Sequence, residues 1–203
     1  MKLSVIIVSY KVPYFLEQTL LSVRKAAINV PTEIIVVDNN SQDDTVAMLH
    51  QKFPEVLLIA NNKNTGFATA NNQGIDRATG EYLLFLNPDT VIREDTFDKI
   101  IGFADKQSNL GAIGVKMIDG TGNFLPESKR GFPSPAVAFY KTFGMSRLLP
   151  KSKTFNQYHL GYLDKDKNHE IDVLSGAFML VPRSVLEITG YWDEAFFMYG
   201  EDI

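Results

Sequence analysis

The sequence predicts an α/β fold in which a mixed, mostly parallel sheet is flanked by helices. Four short runs rich in valine, isoleucine and leucine have the composition of buried strands, at residues 3–8, 33–37, 56–60 and 82–86. Between them, apolar residues recur at helical spacing. Strands that alternate with helices form crossovers that bring parallel strands side by side. Ligands of such sheets bind at the carboxyl ends of the strands, so the residues after each strand are the functional candidates.

The second half of the chain is less regular. Residues 95–106 have the pattern of a helix and residues 111–118 that of a further strand. From residue 119 to residue 170 the periodicity fades, and prolines and the run DKDKNHE indicate a long, solvated excursion. From Ile171 the pattern predicts a strand, a turn, a strand and a short helix entered through Pro182.

Composition narrows the class of protein. A chain of 203 residues that is 45% hydrophobic has the size of one domain over 1–203. Its net charge of −4 argues against nucleic acid as a partner, because phosphate binding needs a basic surface. The absence of cysteine leaves oxygen ligands for any metal and fits the cytoplasm. No run approaches the ~18 to 20 apolar residues of a membrane span. The final FFMYGEDI resembles an unfinished element, so we expect the natural chain to continue past Ile203.

The tip of the first strand excludes two common nucleotide-binding motifs. Ser9 and Tyr10 lie at this tip, within VSYKVPY, and no glycine follows them. A dinucleotide-binding turn and a phosphate-binding P-loop both need glycines there. The chain is therefore predicted to be neither an ordinary NAD-dependent enzyme nor a P-loop nucleotidase.

The next two tips carry polar side chains. Asp38 directly follows the second apolar run, where its carboxylate can accept hydrogen bonds from a base edge or a ribose hydroxyl. Asp43 and Asp44 need no ligand to explain them, because carboxylates at a helix N-terminus stabilise the helix. After the third strand, the small and polar residues of NTGFATANNQG fit either close helix packing or ligand contact. The position at the sheet edge favours ligand contact for Asn64 and Gly66.

The fourth strand ends in FLNPDT. Pro88 cannot donate to a sheet ladder and so ends the strand, with Asn87 and Asp89 on either side. By itself such a turn is common at protein surfaces. Because it shares a predicted edge with Asp38, we favour a metal site, in which one carboxylate holds a divalent cation whose other ligands are water and phosphates.

Six motifs in order resemble the family 2 glycosyltransferases of the GT-A fold, and among them the rhamnosyltransferase-like branch of bacterial polysaccharide enzymes. The motifs are VSY (8–10), VVDNNSQDDT (36–45), NTGFATANNQG (64–74), FLNPDT (85–90), SGAFMLVPR (175–183) and GYWDEAFFMYGEDI (190–203). The resemblance implies inverting transfer from a nucleoside diphosphate sugar to a hydroxyl of a glycan or lipid-linked acceptor, with rhamnosyl transfer in cell-surface polysaccharide synthesis as the specific expectation. It further implies work at the inner face of the cytoplasmic membrane, through peripheral association, and does not predict an oligomeric state.

The resemblance also implies roles for individual residues. Residues 1–118 would be the nucleotide-sugar-binding half and residues 119–203 the acceptor-side half. Asp89 would be the ligand of Mg2+ or Mn2+, although Asn87 departs from the first acidic position of the family's Asp-x-Asp motif. Asp202 would be the catalytic base, with Trp192 and Glu201 on the acceptor side. The residues expected to bind the nucleotide sugar are Ser9, Tyr10, Asp38, Asn40, Asn64, Gly66 and Asn87.

Two other functions stay open at the level of sequence. A nucleotidyltransferase that makes sugar nucleotides would need a glycine-rich, basic loop where this chain has SYKVPY. A non-catalytic module that binds nucleotide sugars is favoured only if Asn87, or the end of the sequence at Ile203, abolishes turnover.

Overall fold

The computed structural model describes residues 1–132, 134–143, 148–149 and 152–198. The chain divides into two compact units. The sheet unit comprises Met1–Ile113 and the described residues from Gly176 onward, and the insert unit comprises Gly114–Ser175. The segment after Ser175 thus returns to the sheet unit.

Seven strands and six α-helices lie in the described part of the chain. The strands are β1 (Leu3–Ser9), β2 (Thr32–Asp38), β3 (Leu57–Ala60), β4 (Tyr82–Leu86), β5 (Lys129–Arg130), β6 (Val173–Leu174) and β7 (Phe178–Pro182). The helices are α1 (Pro13–Ala26), α2 (Thr45–Lys52), α3 (Phe67–Arg77), α4 (Thr96–Ala104), α5 (Pro135–Thr142) and α6 (Arg183–Thr189). No described helix has the length and apolar character needed to cross a membrane.

The sheet unit is built on a five-stranded sheet in the order β3-β2-β1-β4-β7. The first four strands run parallel, and β7 pairs antiparallel with β4. This arrangement confirms the predicted mixed, mostly parallel sheet. It also places the carboxyl ends of β1 to β4 at one edge, which we call the carboxyl edge.

The core lies between the sheet and its helices. Ile6, Ile35 and Phe85 on three adjacent strands pack with Ile75 of α3 in one buried cluster. Strands covered on both faces read as continuous apolar runs, as β1, β2 and β4 do. The burial predicted for the run at residues 56–60 was wrong, because β3 is the outermost strand of the sheet and is partly exposed. Gly74 brings α3 close to the sheet, since a Cβ atom there would lie 2.5 Å from Cγ2 of Ile6. The second half of α3 is thereby packed closely against β1.

The opposite edge of the sheet is held by a carboxylate. Glu33 accepts hydrogen bonds from the Ser4 hydroxyl at 2.5 Å and from the Thr79 backbone N–H and hydroxyl at 2.5 and 2.9 Å. Burial alone would raise the pKa of Glu33, but these hydrogen bonds stabilise the charged form and lower its pKa below the ordinary value. This corner therefore stabilises the fold and lies away from the functional candidates.

The strand predicted for residues 111–118 does not form. Ile113 makes one bridge with Leu180 at the outer side of β7, and Ile118 makes another with Phe124. Gly111 and Gly114 flank Ile113, and glycine lowers strand stability because it adds no side chain to the packing.

The insert unit is mainly irregular, as its fading periodicity predicted. The two-residue strands β5 and β6 pair antiparallel, and a short 3-10 turn at Pro126–Ser128 precedes β5. The charge run from Asp164 to Glu170 is exposed, as expected for a solvated loop.

Candidate active site

The carboxyl edge gathers the loops that follow β1, β2 and β4 with the start of α3. Ser9 and Asp38 are register partners in β1 and β2, and Asp38 is the partner of Ala60 in β3. The ladder continues past the strand ends, because Asn39 N–H donates to the Ser9 carbonyl at 2.8 Å and Asn61 N–H donates to the Asp38 carbonyl at 2.9 Å. Ser9 and Asp38 are therefore neighbours at the carboxyl edge.

Asp38 organises the loop that it begins. The residue is only 3% exposed. Its Oδ1 accepts a hydrogen bond from the Ser41 hydroxyl at 2.5 Å, and its Oδ2 accepts one from the Ser41 N–H at 3.2 Å. The Ser41 hydroxyl in turn accepts from Lys11 N–H at 2.9 Å, which ties the loops after β1 and β2 together. A carboxylate has about four acceptor positions, so Asp38 keeps capacity for a ligand beside this role.

Three non-glycine residues in these two loops have left-handed backbones. The φ angles are +58° at Lys11, +63° at Asn40 and +56° at Gln42. Asparagine adopts this region readily, but lysine and glutamine do so at a cost of roughly 1 to 2 kcal/mol each. Such backbone strain clusters at ligand-binding sites. The side chain of Asn40, predicted to bind the donor, is half-buried here.

Asn39 is the hub of an amide network that the sequence reasoning missed. The side chain is buried. Its Nδ2 donates to Asn64 Oδ1 at 2.9 Å and to the Gly66 carbonyl at 3.1 Å. Its Oδ1 accepts from Thr65 N–H and Oγ1, both at 3.0 Å, and from Asn61 Nδ2 at 3.1 Å. The loop after β2 and the entry to α3 are thus one hydrogen-bonded body.

Gly66 is required by the backbone. Its φ is +86°, and a Cβ atom there would lie 2.7 Å from the carbonyl oxygen of Phe197. That carbonyl accepts a hydrogen bond from Phe67 N–H at 2.8 Å. The Gly66 N–H donates to Asn64 Oδ1 at 3.0 Å. Close packing therefore accounts for Gly66, whereas its contact with a ligand stays a prediction.

Asn72 fixes the segment that contains Trp192. Its Nδ2 donates to the Trp192 carbonyl and to Glu194 Oε1, both at 2.9 Å, and its Oδ1 accepts from Trp192 N–H at 3.0 Å. The indole packs edge-on against Phe85 at 5.0 Å between ring centroids and against Phe67 at 6.1 Å. Trp192 thus rests on the sheet and α3, and its contact with an acceptor stays a prediction.

The Asn87-Pro88-Asp89 turn is held from two sides. Asn87 N–H donates to the Ala177 carbonyl at 3.0 Å, and Thr90 N–H closes the turn on the Asn87 carbonyl at 3.2 Å. From α1, the buried Thr19 hydroxyl donates to the Pro88 carbonyl at 2.8 Å. The turn is therefore fixed while the Asp89 side chain is exposed at the carboxyl edge.

Ser9 and Tyr10 end β1 with contrasting side chains. Ser9 is fully buried, and its hydroxyl oxygen has no hydrogen-bond partner among the described residues. A buried hydroxyl in that state needs a water or a ligand atom. Tyr10 is exposed, with Lys11 Nζ 5.1 Å from its ring centroid. The Ser9 hydroxyl thus belongs to the register partner of Asp38, and an aromatic ring and a cation follow it in the chain.

Asp89 is the candidate metal ligand at the carboxyl edge. The described residues contain no group of three or more histidines, aspartates or glutamates able to hold a metal ion by themselves. Mg2+ is commonly bound through one or two carboxylates, with water and substrate phosphates as the other ligands. The exposed Asp89 on its fixed turn has the ligand chemistry that such a cation needs. Glu201 and Asp202 lie outside the described residues.

Comparisons with known proteins agree on one family. A family model described as Glycosyl transferase family 2 matches residues 4–188. N-acetylglucosaminyl-diphospho-decaprenol L-rhamnosyltransferase of Mycobacterium tuberculosis is 28% identical, over 99% of this chain and 68% of its own length. TarS of S. aureus, residues 1–349, superposes with a TM-score of 0.67 at 20% identity, over 100% of this chain and 53% of that one. The mannosyltransferase PcManGT of Pyrobaculum calidifontis, solved with GDP-Man and Mn2+, has a TM-score of 0.63 at 20% identity, over 99% and 49%.

Proposed function

Since the chain belongs to glycosyl transferase family 2 and has the GT-A fold, we propose that it transfers a sugar from a nucleoside diphosphate donor to an acceptor hydroxyl. The observation that carries the proposal is that a buried Asp38 and the fixed Asn87-Pro88-Asp89 turn lie at the same edge of the sheet, at the ends of β2 and β4. The specific reaction proposed is rhamnosyl transfer to a lipid-linked glycan in cell-surface polysaccharide synthesis. Its support is the name of the Mycobacterium tuberculosis relative.

The proposed donor site follows the carboxyl edge from base to diphosphate. The free acceptor positions of Asp38 would receive hydrogen bonds from the base edge or a ribose hydroxyl. The unpartnered Ser9 hydroxyl and the exposed Tyr10 ring lie beside it, suited to hydrogen bonding and stacking. The other residues proposed to line this site are Asn40, Asn64, Gly66 and Asn87.

The proposed metal ligand is Asp89, and the cofactor is Mg2+ or Mn2+. When bound, such a cation neutralises the charge that develops on the diphosphate leaving group. Asn87 lacks a charge but has a carbonyl oxygen, which suits a contact through water. Because the turn is anchored by Thr19 and by the Ala177 carbonyl, the Asp89 carboxylate would meet the diphosphate without a loop rearrangement.

The proposed chemistry is a single displacement with inversion. A bond forms between the acceptor oxygen and the anomeric carbon as the bond from that carbon to the diphosphate oxygen breaks. The proton of the acceptor hydroxyl passes to the carboxylate of Asp202, the proposed general base. One base on the face opposite the leaving group yields inversion, as in inverting glycosidases. Trp192 and Glu201 are proposed for the acceptor side.

The site of action proposed is the cytoplasmic face of the membrane, where a lipid-linked acceptor would be reached by peripheral association.

Two measurements test this function. In isothermal titration, nucleoside diphosphate sugars of uridine and deoxythymidine should bind, more tightly with Mn2+ than without. The Asp202→Asn variant should keep that binding and lose transfer, because only the proton acceptor is removed. Lack of binding by every nucleoside diphosphate, with and without Mn2+, contradicts the proposal, and unchanged transfer in Asp202→Asn removes that residue as the base.

A further inference from the structure

The insert unit contains a basic stretch within an acidic protein. From residue 128 to residue 163 the sequence has no aspartate or glutamate, although the whole chain carries a net charge of −4. The same stretch carries a charge of +6, from Lys129, Arg130, Lys141, Arg147, Lys151 and Lys153. A charge so segregated produces a local positive potential that the acidic remainder of the sequence would not suggest.

Large apolar side chains are exposed in the same stretch. Phe139 and Phe143 lie one helical turn apart, are 50% and 64% exposed, and have ring centroids 4.4 Å apart. Leu148 is 79% exposed, and Leu149 is also exposed. Side chains of this size are normally buried, and clustered apolar exposure marks an interaction site. We call these four side chains the apolar face.

Contacts within the insert unit connect the segments that carry these side chains. The Tyr140 ring on α5 packs edge-on against Phe155 at 5.0 Å. Ser152 N–H donates to the Leu149 carbonyl at 3.0 Å, and the Ser152 hydroxyl accepts from Phe155 N–H at 3.2 Å. The segment that carries Leu149 is therefore linked to α5. The exposed Lys153 lies on the same segment.

We propose that the apolar face, together with the basic stretch from residue 128 to residue 163, docks on a bilayer rich in anionic lipid. Phenylalanine and leucine side chains enter the boundary between headgroups and acyl chains, while lysine and arginine attract anionic headgroups. A second copy of this face would be repelled, because the stretch from residue 128 to residue 163 carries positive charge and has no carboxylate side chain of its own. Exposed leucines also fit acyl chains better than the phosphates of a nucleic acid. The proposal deepens the proposed function and rests on its lipid-linked acceptor for its purpose.

Co-sedimentation with vesicles tests the docking. The protein should sediment with vesicles of phosphatidylcholine mixed with phosphatidylglycerol, and far less with phosphatidylcholine alone. Binding to the mixed vesicles should fall as salt is raised. Phe139→Ser with Phe143→Ser should weaken it at least about tenfold, through lost apolar burial. Lys153→Gln should weaken it roughly fivefold.

The matched control for the Phe139 and Phe143 variant replaces exposed apolar residues elsewhere in the protein. Ile28 and Ile188 are 80% and 85% exposed and belong to the sheet unit. The variant Ile28→Ser with Ile188→Ser should bind vesicles as the unaltered protein does. Unchanged circular dichroism and thermal unfolding in both double variants would show that the fold is kept.

Several outcomes would overturn the docking proposal. Equal binding to both vesicle types or binding to neither would overturn it, and so would an equal loss of vesicle binding in the Ile28 and Ile188 control. It would also be overturned if no vesicle bound and the Phe139 and Phe143 variant instead abolished self-association or RNA binding. Donor titration separates this failure from that of the proposed function. Donor binding without vesicle docking removes only the docking surface, whereas vesicle docking without donor binding removes only the transferase proposal.

Discussion

Replacing Asn39 by aspartate perturbs the amide network at a single atom. The change keeps the shape of the side chain and keeps the oxygen that accepts from Thr65 and Asn61. It turns the donor Nδ2 into an oxygen that faces two acceptors, Asn64 Oδ1 at 2.9 Å and the Gly66 carbonyl at 3.1 Å. Two hydrogen bonds become two repulsive oxygen contacts.

The structure sets the size of this effect. Each lost hydrogen bond costs about 1 kcal/mol, and each buried acceptor left without a donor raises the cost towards the upper end of about 1 to 3 kcal/mol. The three donors on the other oxygen partly compensate the new charge. We therefore expect the free energy of unfolding of Asn39→Asp to fall by about 2 to 4 kcal/mol at neutral pH. That is a large part of the roughly 5 to 15 kcal/mol that stabilises a domain, yet the protein should still fold.

Urea unfolding and donor titration measure the consequence. Asn62→Asp is the matched control, because it makes the same chemical change on an exposed side chain in the loop before Asn64. The deficit of Asn39→Asp should shrink as pH falls, since the new carboxyl regains a donor proton when it is protonated. Donor affinity should fall with stability, because Gly66 and Asn64 lose their anchor. Equal stability and affinity of Asn39→Asp and Asn62→Asp would refute the role of the network.

Three further substitutions test the framework of the site. Gly66→Ala should lower the free energy of unfolding by about 2 to 4 kcal/mol, because the backbone becomes strained and the hydrogen bond to the Phe197 carbonyl is lost. The control Gly102→Ala has open space around the new methyl group and should be neutral or stabilising in the same urea experiment. Glu33→Gln should lower the free energy of unfolding by about 1 kcal/mol at neutral pH. Because the folded pKa of Glu33 is lowered, this difference in stability should be complete above the unfolded pKa and should vanish as pH falls through the folded pKa. A difference in stability that does not change with pH would contradict this. Thr19→Val should cost about 1 to 2 kcal/mol and weaken donor binding in Mn2+, because the Pro88 carbonyl loses its buried donor, while Thr19→Ser should retain both.

The sheet could be predicted because burial on both faces leaves a local signature. Runs such as residues 3–8 and 82–86 are continuous in valine, isoleucine and leucine, and both became strands. Asp38 and Asp89 could be assigned to one edge for a topological reason, since parallel strands end on the same side. The strand predicted at residues 111–118 was wrong, because an apolar pattern does not guarantee strand pairing. In this run only Ile113 bridges β7.

Other features depend on tertiary contacts that no local pattern records. Asn39 looks like the rest of a polar loop, and its importance comes from partners that follow a different strand. Asn72 was compatible with helix packing or ligand contact, and only the fold brings it against the Trp192 backbone. An aromatic residue such as Trp192 carries the same signal in a core as in a binding wall.

We propose that the nucleoside diphosphate binds at the carboxyl edge. Amide chemical shifts recorded by NMR during titration with a nucleoside diphosphate and Mg2+ test it most directly. We expect the largest shifts in residues 9–11, 38–42, 64–67, 87, 89 and 90, since Pro88 has no amide proton. Shifts confined to the opposite edge of the sheet, in the groove lined by Tyr82, Leu110 and Arg183, would contradict it.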